Sequence, residues 1–357
     1  MVDGVAGVDL LSVVLDHDRA PATAVADDWE PGPDPSGLQL TVDAAVNLVT
    51  SARDLLRAAW TTVHAPRRAL ERGRTIATGL RSYGSALRPT PPTSLDGRIG
   101  PHRRWTFAGA SLADVRTIRH AFGGTVNDVV LAAVTSGFRD LIVARGEDPD
   151  HVAMRTLVPV SVRDETGRGV YDNRVSAIFL DLPVRLEDPL ERLAALHAAM
   201  DHLKQSHEVE AGEALTQLAG AVPPAFMAQA TRLVSRLVSR VPQRTMNTVT
   251  TNVPGPQLPL YAAGREMLEY QPFVPLGPGV RIGVAILSYN GQLSFGITGD
   301  YDTAPDIGVL ADGIDAAVAT LVHLARRRHR QRGHRPDRPR RTAPGVPAGR
   351  PAVVHAS

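Results

Sequence analysis

The sequence predicts an α/β fold of the α+β kind with a mixed sheet, on three observations. Between residues 104 and 325 strand-like and helix-like segments alternate, but irregularly. Two strand-like segments are joined directly through Asn290-Gly291, the dipeptide of a type I′ hairpin, so at least one pair is antiparallel. No Gly-x-Gly-x-x-Gly follows a strand and opens a helix, which argues against a doubly wound parallel sheet.

Residues 5–15 read as a short helix with Val5, Val8, Leu11 and Val14 on one face. A Pro/Gly loop covers 28–38, helices are expected at about 41–60 and 66–83, and a linker rich in Pro and Gly runs from about 84 to 101. Trp105-Thr106-Phe107 suits a strand and 111–121 a helix. Thr125 to Ala144 reads as a helix with Thr125 as N-cap and Asp128 at the third helical position, the spacing of a capping box. Met154–Val162 and Arg174–Val184 read as strands. A long helix over about 188–207 carries the stripe Leu190, Leu193, Leu196, Met200 and Leu203. Another helix begins at Pro224, followed by strands near 246–253, 281–289 and 292–299 and a last helix over about 305–325. From Arg326 onward Arg, Pro, Gly and His occur without periodicity, which reads as a disordered tail.

A chain of 357 residues allows two domains or one large two-lobed domain, and 43% hydrophobic residues suffice for a substantial core. Aromatics are only 4%, so aliphatic side chains must fill it. The absence of cysteine excludes disulfides, cysteine-ligated zinc and a thiol nucleophile, and fits a cytoplasmic setting. Residues 326–357 hold ten arginines against the single acid Asp337; this +9 within a net +2 leaves the remaining chain at −7. Asp3, Asp9, Asp16 and Asp18 stand where a secretory signal needs positive charge and an unbroken apolar run. No transmembrane span is expected; the uncharged run Ala214 to Thr231, for example, contains Gln217, Gln229 and Pro223-Pro224.

The nucleophile elbow Gly-x-Ser-x-Gly, the P-loop and the zinc helix His-Glu-x-x-His are all missing, so serine hydrolase, nucleotide hydrolase and zinc protease chemistry are disfavoured. Five segments carry a positive signal. They are Val2-Asp3-Gly4-Val5-Ala6-Gly7; Thr125-Val126-Asn127-Asp128; Pro159-Val160-Ser161-Val162-Arg163; Asn247 through Pro256, ending in Asn252-Val253-Pro254-Gly255-Pro256; and Ser288-Tyr289-Asn290-Gly291 with Phe295-Gly296. In order and spacing these resemble the wax ester synthase/diacylglycerol acyltransferase family, over about residues 1–325.

The resemblance implies a two-lobed fold similar to chloramphenicol acetyltransferase and condensation domains. It also implies transfer of an acyl group from acyl-CoA to diacylglycerol or a long-chain alcohol, with acyl-CoA as substrate and with no cofactor or metal. By the same resemblance, residues 1–100 are a remnant of the N-terminal lobe plus linker. Residues 101–325 are the C-terminal lobe, with the family's C-terminal domain within about 170–325, and 326–357 are a basic tail. Asp3 and Gly4 match the last two positions of the family's His-His-x-x-x-Asp-Gly motif, whose histidines would fall two and three residues before Met1. The first lobe is therefore expected to be incomplete and the chain inactive as written; the alternative is a catalytically dead lipid- or partner-binding protein.

Asn127 and Asp128 match the family's Asn-Asp motif and are expected beside the active site, Asp128 serving also as a capping residue. Asn252, Pro254, Gly255 and Pro256 are expected to form a rigid turn in the wall of a substrate tunnel. His197 and Asp201 share the H-x-x-x-D spacing, but lie at i and i+4 of a helix and read as a solvated helix face. The hydrophobic products implied by the resemblance place the protein at the inner membrane face or on lipid droplets. Phe226, Leu233 and Leu237 flanked by Arg232, Arg236 and Arg240 fit either an interfacial helix or an ordinary lobe helix. No aromatic side chain interleaves with the basic tail, so nucleic-acid stacking is not expected.

Overall fold

The computed structural model describes residues 7–8, 14–20, 32–44, 46, 53, 88–161, 175–205 and 244–333. The helices expected at 66–83 and from Pro224 lie outside the described residues, as do Asp3, Gly4 and most of the helices expected at 5–15 and 41–60. Of the last, 37–44 is helical, beginning four residues early because Ser36 caps it: its hydroxyl accepts the Gln39 N–H at 3.2 Å.

From residue 103 the chain forms strand β1 (Arg103–Ser111), helices α1 (Leu112–Phe122) and α2 (Val126–Ala144), strands β2 (Met154–Ser161) and β3 (Val175–Leu182), and helix α3 (Pro189–Gln205). Strand β4 (Thr248–Pro254), the two-residue strands β5 (Tyr261–Ala262) and β6 (Arg265–Glu266), strands β7 (Ile282–Tyr289) and β8 (Gln292–Asp300), and helix α4 (Ile307–Gly333) follow. Six strands form one sheet in the order β1-β8-β7-β4-β2-β3. Pairs β1–β8, β8–β7 and β2–β3 are antiparallel, while β7–β4 and β4–β2 are parallel, so the sheet is mixed as expected.

The hairpin between β7 and β8 turns at Asn290 (φ 44°) and Gly291 (φ 79°), the left-handed pair that a type I′ turn demands. Strand alternation puts Ile282, Val284 and Ile286 of β7 and Leu293, Phe295 and Ile297 of β8 into the main core, against α1, α2 and α4. Each such side chain contributes about 1.5–3 kcal/mol by leaving water. The reverse face of β7 is covered as well. Val274 packs against Gly283, and the Pro272 carbonyl lies on Gly296 so closely that no β-carbon would fit there. This double cover explains why all eight residues of β7 are buried and why its sequence reads as a nearly unbroken apolar run.

On β4 the core-facing positions are polar. Thr248 and Thr250 are buried; Thr248 donates to the Ile282 carbonyl at 2.8 Å, and the Thr156 hydroxyl of β2 donates to that of Thr250 at 2.9 Å. The same alternation carries this polar row to Asn252 at the C-terminal end of the strand.

Helix α4 corrects the expectation of a disordered tail. It continues to Gly333, eight residues into the segment expected to be a disordered tail. Arginine is a good helix former, Arg326 pairs with Asp114 of α1 at 2.8 Å, and Arg328 lies 5.3 Å from the Phe122 ring centre. Positive charge also suits a helix C-terminus. In addition, Ile307–Gln331 is apolar and long enough by composition to cross a membrane, and half of its most apolar stretch is buried inside the fold. That burial is against α2, α1 and β1. Where α4 crosses α2 the backbones touch: a β-carbon on Gly313 would stand 2.7 Å from the Gly137 Cα. Arg145 at the end of α2 grips Asp306, just before α4, with two bonds of 2.8 and 2.6 Å.

Candidate functional site

Strands β1, β4 and β7 run in one direction, so their C-terminal ends share one pole of the sheet. The site residues expected from the sequence that fall within the described residues gather at this pole. Helix α2 starts there after Gly123 and Gly124, both at positive φ (88° and 82°). Thr125 caps it as its sequence predicts: the Thr125 hydroxyl accepts the Asp128 N–H at 3.2 Å, and the Asp128 carboxylate accepts the Thr125 N–H at 2.8 Å.

Asp128 is 1% exposed. Its Oδ2 also lies 2.9 Å from Nδ1 of His197 on α3, while its Oδ1 is buried without a hydrogen-bond partner among the described residues. Nε2 of His197 stands 3.5 Å from Asp201. The solvated reading of His197 is thereby corrected. The ring is about half covered, because α3 packs along α2 and turns this edge of its apolar stripe toward the first turn of α2. Gly124 is required by the same crowding: a β-carbon there would fall 2.9 Å from Asp128 Oδ2 and 3.5 Å from His197 Nδ1, on a backbone that L-residues seldom adopt.

Beside Asp128, the Asn127 side-chain oxygen accepts a hydrogen bond from the Asn252 amide at 3.2 Å. Two motifs 125 residues apart are thus joined at the level of side chains. After Pro254 the chain leaves β4 through Gly255-Pro256, and this segment is latched to the β7–β8 hairpin. The Gly255 N–H donates to the Ser288 hydroxyl at 3.2 Å, and the Asn290 N–H to the Pro256 carbonyl at 3.0 Å. Gln257 completes the latch by donating to the Gly255 carbonyl and Ser288 hydroxyl and accepting from the Gly291 N–H. No β-carbon fits on Gly255, since the Ser288 carbonyl occupies that place. The expected rigid turn is corrected at its start: Asn252 and Pro254 still belong to β4 and pair with Ile286 and Ser288 of β7, so the chain leaves the sheet only at Gly255 and Pro256. Gln257 went unnoticed in the sequence because an exposed glutamine after a turn has no local signature. Tyr289 is a buried post whose hydroxyl accepts from the Leu260 N–H and donates to the Met267 carbonyl.

Chemically, the pole offers backbone N–H groups at a helix start, a side-chain amide pair and a buried carboxylate held beside an imidazole. The first two can stabilise negative charge developing on an oxygen, and the last two can hold or pass a proton. Among the described residues no three His, Cys, Asp or Glu side chains are grouped so as to hold a metal ion.

Two profiles of one family match successive parts of the chain: the wax ester synthase/diacylglycerol acyltransferase catalytic domain over residues 1–130, and the WS/DGAT C-terminal domain over 171–321. The probable diacylglycerol O-acyltransferase tgs1 of Mycobacterium tuberculosis H37Rv is 41% identical over 259 residues, 72% of this chain and 55% of its own length. Another M. tuberculosis protein named as a diacylglycerol O-acyltransferase is 32% identical over 267 residues, again 72% of this chain and 55% of its own. The chain thus spans about half the length of these relatives. Among solved structures, the wax ester synthase/diacylglycerol acyltransferase from Marinobacter aquaeolei VT8 shares the fold with a TM-score of 0.57, at 24% identity over 91% of this chain and 66% of that one. On its motifs, its profiles and its relatives, the chain belongs to the wax ester synthase/diacylglycerol acyltransferase family.

Proposed function

We propose that the protein serves acyl transfer from acyl-CoA to the hydroxyl of diacylglycerol or a long-chain alcohol, with the Asn127–Asp128–Asn252 pole on the reaction path. The observation that carries this reading is the 3.2 Å bond between Asn252 and Asn127, which joins two family motifs at the start of a helix. In the reaction the acceptor hydroxyl loses its proton to a base, its oxygen bonds to the thioester carbonyl carbon, and the carbon–sulfur bond breaks to release CoA as thiol. The substrates supply every reacting group, so the chemistry calls for no cofactor or metal.

The start of α2 and the Asn127–Asn252 amides favour the oxyanion of the tetrahedral intermediate. General-base assistance to the acceptor hydroxyl is worth about 10²–10⁴-fold. A lipid acceptor places the work at the cytoplasmic face of a membrane or on a lipid droplet.

The test measures CoA release and ester formation from palmitoyl-CoA with dioleoylglycerol or hexadecanol. It is run on this chain and, where the reading frame continues upstream of Met1, on the extended chain. Ester formed by the extended chain and lost in Asn127→Ala supports the reading. Undiminished turnover in Asn127→Ala and Asn252→Ala removes this pole from the reaction. Turnover by the 357-residue chain that is lost in His197→Ala would assign the base to His197.

A further inference from the structure

Strand β1 is an edge of the sheet, and α4 packs along it. Between them lies a groove of about 550 Å³. Its walls include Ala110, Val318, Ala319 and Val322, and its rim carries His323, Arg326, Arg327 and Arg330. These four recur at i, i+3, i+4 and i+7, so they occupy one face of α4. The groove's two acids are already engaged: Asp315 accepts the Gly109 N–H at 3.0 Å, and Asp114 pairs with Arg326. Arg327 and Arg330 are exposed and make no hydrogen bond or ion pair among the described residues. Three arginines against two acids leave the groove net positive, with the Arg327 and Arg330 guanidinium groups exposed at its rim.

The groove opens at the pole that carries the candidate site. Ser111, at the C-terminal end of β1, lines it, and the next residue, Leu112, donates its N–H to the carbonyl of Gly291 in the hairpin turn. A surface bound by this rim is therefore presented to the Asn127–Asn252 pole.

We propose that this groove and its arginine face seat the phosphate headgroups of an anionic phospholipid surface, and so dock the candidate site on the lipid that holds its acceptor. The inference rests on the lipid-acceptor reading above. Guanidinium forks match phosphate oxygens bidentately, and a mainly polar, net positive groove suits the phosphodiester and glycerol of a headgroup. Nucleic acid presents the same phosphates, but no aromatic side chain lines the groove to stack a base.

The experiment is co-sedimentation of the full 357-residue chain with phosphatidylcholine vesicles, with and without phosphatidylglycerol, in the absence of acyl-CoA and acceptor. Arginines near an anionic surface contribute about fivefold in affinity each, so Arg327→Gln/Arg330→Gln should weaken binding to phosphatidylglycerol vesicles by tenfold or more. The exposed pair Arg116→Gln/Arg119→Gln on α1, outside the groove, should change it less than threefold. Equal losses in the two variants would assign binding to overall charge and overturn the proposal. So would displacement by inorganic pyrophosphate at matched ionic strength, which marks a soluble-phosphate site, or RNA binding tighter than vesicle binding with the same loss in the groove variant. Ester formation on detergent-dispersed acceptor is read separately. Vesicle binding without transfer by the extended chain would sink the proposed function and leave this inference standing; transfer without groove-dependent vesicle binding would do the reverse.

Discussion

Nδ1 of His197 lies 2.9 Å from Oδ2 of Asp128, although 69 residues separate them in the chain. The pair ties α3 to the start of α2 through a carboxylate that also caps that helix. Removing Asp128 loses both roles. Asp128→Ala should therefore cost about 1–3 kcal/mol, the range for losing a helix cap and leaving a donor without its partner. His197→Ala should cost about 1–3 kcal/mol, because the Thr125 N–H still serves the carboxylate. In a double-mutant cycle read by urea denaturation, the coupling should exceed about 0.5 kcal/mol. Additive losses would mean that the two side chains do not interact in solution.

Gly255 is held against the Ser288 carbonyl with no room for a side chain. Gly255→Ala should lose about 1–3 kcal/mol through the backbone shift it forces. Gly308, in the first turn of α4, has open space around its Cβ position, so Gly308→Ala should be neutral or gain up to about 1 kcal/mol. Melting temperatures of the two variants moving together would contradict the latch.

Acid should weaken the fold through Asp306 and Asp300. The hydrogen bonds from Arg145 hold the Asp306 carboxyl below its usual range, outweighing its burial. For Asp300 burial acts upward, but the Thr303 hydroxyl, the Gly100 and Thr303 N–H groups and Arg103 together hold it down. A carboxylate depressed in the folded state adds stability above its unfolded value of about 3.9, and loses it as pH falls through that value toward the folded one. Asp96 works in the opposite sense: burial raises it despite the Thr93 and Asn247 hydrogen bonds, so its protonation favours the fold. Asp306→Asn should lower stability at pH 7 and flatten the decline below about pH 4. An unchanged slope in denaturant midpoint against pH would show that Arg145 and Asp306 are not paired.

The crossing of α2 and α4 leaves no space between Gly137 and Gly313. Gly313→Val should force the helices apart and cost about 3 kcal/mol, at the upper end for overpacking. Thr320→Val, on the exposed side of the same helix, should stay within about 0.5 kcal/mol. Equal effects would place the crossing elsewhere.

What the sequence made legible was local. The Asn290-Gly291 turn, the Thr125–Asp128 capping box and the strands at 103–111 and 282–300 each follow from neighbours within a few residues. The Asn127–Asn252 bond was not legible: the resemblance put one residue beside the active site and the other in a tunnel wall, and nothing within either motif specifies the other. His197 was misread because its covering partner sits on another helix, and helical spacing alone pointed it to water. The extension of α4 was missed because ten arginines in 32 residues look unstructured until Asp114 and Phe122 of another helix are brought beside them. Strands β5 and β6, two residues each, are too short to carry any periodicity.

The order of the six strands has a consequence for synthesis. β1 and β2 emerge from the ribosome first, yet three strands made later, β8, β7 and β4, stand between them. The earlier half of the sheet therefore has no central partners until residues 248–300 are translated. Such long-range pairing slows folding and leaves strand edges open meanwhile. A nascent chain stalled before residue 248 should engage holdase chaperones and resist compaction, and release past residue 300 should let the sheet close in a single cooperative step.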